Sequence, residues 1–230
     1  MRIIENIARI QEQVQTACLR AGRKPEEIRL MGVSKFHEIS RIEEAWQGGI
    51  RLFGESRVQE GTAKFTNFKQ THPETELHLI GPLQRNKAKG AACFFDCIQS
   101  VDREQLIESL GTSINGIGGS LEILLELHTG EETKTGFPNE DSLLRAVEKV
   151  LIYPQLNPRG LMTIAPYTDD SQLIRKAFRS LVKARNKLEA RFPFCAWTCL
   201  SMGMSNDFEI AIEEGSTLLR IGTAIFGTRT

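Results

Sequence analysis

The chain has 230 residues, 40% hydrophobic and 25% charged, ordinary for a soluble globular protein that builds one large domain or two small ones. Lysine plus arginine number 29 and aspartate plus glutamate 29, so no net field draws the chain to nucleic acid or an anionic membrane; only a local anion site is left open. No apolar run approaches the length of a transmembrane helix.

The opening stretch, MRIIENIARIQEQVQTACLR, mixes charge into its apolar residues and lacks the apolar centre of a signal peptide. Ile3, Ile7, Ile10 and Val14 recur at helical spacing and predict an amphipathic helix. Short apolar runs then predict strands at 29–34, 51–53, 77–80, 96–100, 121–127, 159–164, 197–201 and 217–221. Helical segments are predicted between them at 38–48, 55–69, 84–92, 102–110, 139–150, 169–191 and 205–214. Strands alternating with helices pair in parallel through crossovers, and eight of them close a (β/α)8 TIM-type barrel. The expectation is therefore one α/β domain over 1–230, with the extra N-terminal helix covering one end. An open doubly wound sheet is the alternative, but SKFHEIS, which follows the first strand, has none of that fold's usual glycines.

Five cysteines, at 18, 93, 97, 195 and 199, form an odd set without secretory context, which points to free thiols in a reducing cytoplasm. The two Cys-x-x-x-Cys pairs, CFFDC and CAWTC, lack the turn residues of a zinc knuckle. They read as small buried hydrophobes, and no metal is expected.

Barrel chemistry resides at the carboxyl ends of the strands. In MGVSKFHE, Met31, Val33 and Lys35 share one face and Leu30, Gly32 and Ser34 the other. Gly32 lets a helix pack closely outside, which turns Lys35 inward over the barrel mouth. An amine there is desolvated, its pKa falls, and it becomes a nucleophile for an aldehyde. Taken alone, the stretch favours the plainer reading, a lysine returning to water. The far end of the chain alters that balance. In RIGTAIFGTR, Arg220 shares an inward face with Leu218, and Gly222 and Thr223 offer backbone N–H groups to an oxyanion. In LSMGMSNDFEIAIEEG, Ser205 is a candidate helix N-cap, with Phe208 and Ile212 on the buried face. Loops after strands seven and eight are the usual phosphate site of such barrels, although glycine and serine also serve ordinary turns. A lysine and a phosphate cradle together suit pyridoxal 5′-phosphate, whose ring nitrogen would face Arg220 and stay unprotonated, restricting the chemistry.

Several segments in order, MGVSKFHEISRIEEAWQGGIRLFGESRVQE, LHLIGPLQRNKAK, SVDREQLIESL, GEETKTGF, RGLMTIAP and LSMGMSNDFEIAIEEGSTLLRIGTAIFGTR, resemble the pyridoxal phosphate homeostasis proteins. These are single-domain relatives of the alanine racemase barrel, and the likeness covers nearly the whole chain. It implies that Lys35 forms the Schiff base, that Ser201, Gly222 and Thr223 surround the phosphate, that Arg220 lies near the pyridine nitrogen and that Met162 lies near the ring. The chain departs from the family in FGES, where Ser56 replaces a customary Asn close to the cofactor. It also departs at Arg85 and in LLELHTGEETKTG, which is shorter than usual and lacks the Asn after its strand.

Among the four histidines, His37, His72, His78 and His128, only His78 alternates so as to point into the barrel. It is a candidate cofactor neighbour, with a satisfied interior histidine as the plainer reading. Glu122 and Glu126 share a strand face and suit interior cations. Lys134 reads as a solvated loop charge to which the likeness lends a transient cofactor contact.

Two functions compete: a carrier that holds pyridoxal phosphate for vitamin B6 homeostasis and passes it to apo-enzymes, and a pyridoxal-phosphate-dependent amino-acid racemase. Two-base racemisation needs a second acid–base group opposite the lysine, which the racemases take from a second domain. Here the only tyrosines, Tyr153 and Tyr167, flank strand six. The carrier is the preferred reading, as a cytoplasmic monomer without nucleic-acid or membrane partners. A third class, a phosphate-binding barrel enzyme without pyridoxal phosphate, is the remaining alternative.

Overall fold

Eight short strands close on themselves in a computed structural model that describes residues 2–130 and 135–227. They are β1 (Arg29–Val33), β2 (Leu52–Glu55), β3 (Glu76–Leu79), β4 (Cys97–Val101), β5 (Leu121–Glu126), β6 (Leu156–Met162), β7 (Cys199–Ser201) and β8 (Leu218–Ile221). Each pairs in parallel with its neighbours, and β8 closes onto β1 with Met31 level with Arg220. The helices are α1 (Ile3–Arg20), α2 (Ile39–Gln47), α3 (Val58–Thr71), α4 (Ala88–Phe94), α5 (Glu104–Ile117), α6 (Glu140–Val150), α7 (Ser171–Arg191), α8 (Phe208–Glu213) and α9 (Thr223–Phe226). The expected TIM-type barrel with its N-terminal helix is thus present.

Local chemistry explains the longer helices. Asn139 caps α6 by accepting the N–H of Ser142, and Asp170 caps α7 by accepting those of Gln172 and Leu173. In α3, Phe65 and Phe68 turn inward onto Phe53 of β2, building the apolar layer between sheet and helices. A separate interior filling comes from Met31, Val33, Leu52 and Leu218 on one side and Cys97, Leu124 and Met162 on the other.

Three details correct the sequence reading. The N-terminal helix lies against α2, α8 and α9 on the flank of the ring, with Asn6 donating to the Ile225 carbonyl at 2.8 Å. It does not cover an end, and Arg29, Glu122 and Arg159 reach solvent at the base. The helix expected from 205 starts at Phe208, with Asp207 in the cap position; Ser205 instead accepts the Ala224 N–H at 3.2 Å. The close packing against Gly32 is present, since an added Cβ would stand 3.2 Å from Ile50 Cγ2 and 3.6 Å from the Phe226 ring. The helix responsible is α9, which is too short to leave a periodic signature.

Between β5 and β6 the register slips by one residue, pairing Ile123 with Pro158 and then Leu124 with Gly160. Gly160 stands so close to β7 that a Cβ would lie 1.8 Å from the Cys199 carbonyl oxygen. The atoms it would meet are all backbone of Cys199, which has no flexible end to yield. Gly160→Ala is therefore expected to destabilise the barrel by at least about 2 kcal/mol. Thermal unfolding followed by circular dichroism should show a melting temperature several degrees lower.

Candidate functional site

The site forms where β6, β7, β8 and β1 end. Ser201, at the tip of β7, is level with Met162 on one side and Leu218 on the other. Arg220, two residues further along β8, is only 5% exposed and turns into the barrel. Its Nη1 donates to the Ser201 carbonyl and hydroxyl, each at 2.7 Å, and its Nη2 to the Thr163 carbonyl at 2.7 Å. All three acceptors are neutral. Burial pulls the guanidinium pKa down, partly offset through space by Asp207 and Glu126, yet an arginine stays charged.

A continuous chain of hydrogen bonds descends from this arginine. The Ser201 hydroxyl donates to Gln99 Oε1 at 2.6 Å, and Gln99 Nε2 approaches His78 Nδ1 at 2.7 Å. With the amide donating there, the His78 proton sits on Nε2, which faces Glu76 Oε1 at 2.6 Å. Arg29 closes the base on the other Glu76 oxygen, at 2.5 Å. Every donor thus points from the mouth toward the base until the carboxylate is reached, an arrangement in which each bond polarises the next.

Lys35 stands two residues beyond β1, half-buried, between Ser34 and Phe36. Gly222 lies directly beside this strand end, since a Cβ on it would be 3.4 Å from Val33 Cβ and 3.6 Å from the Val33 carbonyl. It caps α9, whose Ile225 and Phe226 N–H groups return to the Gly222 carbonyl. Thr223 opens that helix, so its N–H has no intrahelical partner. Gly203, at φ +98°, carries the β7–α8 loop past Ala211 and Leu219, where a side chain would collide.

The predicted residues therefore fall into groups. Lys35, Arg220, Gly222, Thr223 and Ser201 come together on the adjacent strands β1, β8 and β7 and the loops that leave them. Met162 is fully buried beneath them with Cys97 and Leu124. His78 lies inside the barrel with both ring nitrogens engaged by protein groups. Ser56 is at the end of β2, pressed on Gly81, where an added Cβ would stand 2.3 Å from its carbonyl oxygen. Glu126 is buried near the mouth, accepts the Thr135 hydroxyl at 3.0 Å, and has its carboxyl pushed up by burial. Glu122 instead pairs with Arg159 at 3.3 Å, at the base. His37 stacks on Phe226, His72 on Phe68. Lys134 lies outside the described residues. The cysteines are free thiols, and no metal-binding cluster of His, Cys, Asp or Glu occurs among the described residues.

Gln99 and Thr163 went unrecognised in the sequence. The signal for Gln99 was a lone amide in the run CIQSV with the same inward parity as Cys97. Nothing marked Thr163, which contributes its backbone.

Burial alone would raise the Glu76 carboxyl, but hydrogen bonds from His78 and Arg29 outweigh it and hold its pKa at about 2. A depressed folded pKa gives stability that is complete above the unfolded value and lost as pH falls through the folded one. Thermal stability should accordingly decline from the ordinary glutamate range down to about 2. In Glu76→Gln this part of the pH profile should flatten, as measured by melting temperature at each pH.

Comparison with known proteins bears on this arrangement. Residues 5–230 match the family described as "Alanine racemase, N-terminal domain". The pyridoxal phosphate homeostasis protein of Vibrio alginolyticus is 38% identical over 230 residues, covering 99% of this chain and 97% of that protein. PipY of Synechococcus elongatus, solved with PLP bound, superposes with a TM-score of 0.85 at 34% identity, covering 98% of this chain and 100% of PipY. An alanine racemase of Clostridium difficile shares the fold alone, with a TM-score of 0.78 at 12% identity; the match covers 98% of this chain and 57% of that one. Among the described residues, no helix is long and apolar enough to cross a membrane. A full-length match to the homeostasis proteins and a family match over almost every residue lead to one conclusion: the chain belongs to the pyridoxal phosphate homeostasis proteins of the alanine racemase N-terminal domain family.

Proposed function

We propose that this protein binds pyridoxal 5′-phosphate as a Schiff base on Lys35 and serves vitamin B6 homeostasis in the cytoplasm. It holds the cofactor and supplies it to apo-enzymes without turning over a substrate, as one barrel domain that works as a monomer. The observation that carries this reading is Arg220: a buried guanidinium bonded to neutral oxygens, one strand away from the lysine. A site of that kind fits a ligand with an electron-rich acceptor better than a second cation. When bound, pyridoxal phosphate supplies an aldehyde for the amine, a phosphate for backbone donors and a ring nitrogen that accepts a hydrogen bond.

Each residue then has a part. Lys35 provides the covalent tether. Gly222 and Thr223 offer main-chain N–H groups to the phosphate, with no side chain on Gly222 to obstruct it. Ser201 stands beside them, its hydroxyl committed to Gln99 and Arg220. Arg220 donates to the ring nitrogen and, as a permanent cation, keeps it unprotonated, which weakens the ring as an electron sink. Met162, His78 and Ser56 complete the surroundings: the first two beneath the site, the last at the rim. The relation to PipY, whose structure holds PLP, supports the cofactor assignment.

Incubation with pyridoxal phosphate should give a visible absorbance band that borohydride abolishes and that Lys35→Ala lacks; a colourless wild type would overturn the reading. Arg220→Ala should keep the band but lose cofactor faster on dialysis, because the covalent link does not use the guanidinium. The wild type should exchange no α-proton of alanine or serine in deuterated water. Exchange that disappears with Lys35→Ala would establish the racemase instead.

A further inference from the structure

Behind the Lys35 loop, on the outer side of the sheet, lies a cluster of two carboxyl groups and an ammonium that the binding site itself does not use. Glu55 at the end of β2 is fully buried, and its Oε2 has no hydrogen-bond partner among the described residues. Its other oxygen accepts the Ser34 hydroxyl at 2.7 Å and the Lys64 ammonium at 3.1 Å. Lys64, on α3, also donates to Glu60 at 2.6 Å and to the Ser34 carbonyl at 3.0 Å. Its three protons thus have three acceptors on three separate segments. Glu60 in turn accepts the Phe36 N–H at 2.6 Å.

The contacts fall on the backbone either side of Lys35. The carbonyl before it is held by Lys64, the amide after it by Glu60, and these two side chains bond each other. Phe36 also has φ +67°, and among the described residues no other non-glycine has positive φ. That conformation is unfavourable for a side chain of this bulk and persists only where surrounding contacts impose it. Charge-assisted hydrogen bonds at both flanks are such contacts. Further along the loop the His37 N–H returns to the Ser34 carbonyl at 3.1 Å and the His37 ring stacks on Phe226, while the two peptide groups flanking Lys35 are held by the cluster.

We propose that Lys64 and Glu60 are positioning residues: anchored on buried Glu55, they clamp Ser34 and Phe36 so that Lys35 is presented to the barrel mouth in one conformation. The inference rests on the reading of Lys35 as the cofactor tether, and its test separates the two. Neither residue touches the cofactor in this account.

The test uses the full chain as wild type, Lys64→Met, Lys64→Arg and Glu60→Ala. Amide hydrogen exchange is measured on cofactor-free protein, and the rate of covalent capture of pyridoxal phosphate is measured by borohydride trapping. In Lys64→Met and Glu60→Ala, exchange across 34–38 should rise about tenfold, the factor for losing one charge-assisted hydrogen bond, with β1 and β8 unchanged. Capture should slow by a similar factor, and Lys64→Arg should restore most of both. Wild-type exchange and wild-type capture in the two variants would overturn the clamp. So would faster exchange spread equally over β1 and β8, which marks a general loss of stability. If the wild type captures no cofactor, the Lys35 reading fails, and the exchange measurement on cofactor-free protein still decides the clamp.

Discussion

A guanidinium enclosed in a barrel has to be solvated by the barrel. Arg220 carries a full charge where water does not reach, and an isolated buried ion of that kind costs more than a domain can offset. The cost is met here with carbonyl and hydroxyl oxygens drawn from β6 and β7. Much of the interior follows. Ser201 must orient its hydroxyl to receive Arg220, so it donates to Gln99, and Gln99 must then donate to His78. The polarity of one cation is thereby handed across β8, β7, β4 and β3. In many barrels of this type the centre is a set of apolar layers. In this one a polar thread runs through the interior beside two apolar groups, Met31, Val33, Leu52 and Leu218 in one and Cys97, Leu124 and Met162 in the other.

The two faces of the sheet consequently have different tasks near the mouth. Inside, neutral acceptors leave the charge of Arg220 uncancelled by contact, available to whatever ligand stands over it. Outside, the Lys64 ammonium is shared by Glu55 and Glu60 at short range, and the cluster reaches the Lys35 loop through direct hydrogen bonds to its backbone. Lys35 stands at the boundary, on a strand end whose two neighbours belong to the outer cluster. The groups behind the lysine are thereby committed to structure.

Much of this was legible in the sequence because it depends on short-range pattern. The period-two alternation of Met31 and Val33, with Gly32 between, correctly signalled which face met a close-packed helix. The nearness of Arg220 and Gly222 to the first strand was legible because a closed barrel sets its last strand beside its first. The failures have a common cause. Helix α9 has four residues, too few for any periodicity, and the true cap of α8 is Asp207 because the loop uses Ser205 to bind α9. Glu60 and Lys64 look like an ordinary i,i+4 surface pair. Only the packing of α3 on the sheet turns them toward the Lys35 loop. Gln99 is an interior amide whose partners come from two other strands, β3 and β7, which no local window contains.

The polar thread also has a graded exposure to the medium. Its base, where Arg29 meets Glu76 beside the Arg159–Glu122 pair, is open to solvent, while the Ser201 and Gln99 end is sealed. Dissolved ions screen over about 8 Å at physiological ionic strength and act chiefly on exposed charges. Salt therefore weakens the ion pairs at the floor and leaves the buried hydrogen bonds of the arginine largely unscreened. The hydrogen bonds around the arginine are thereby insulated from the ionic conditions at the floor.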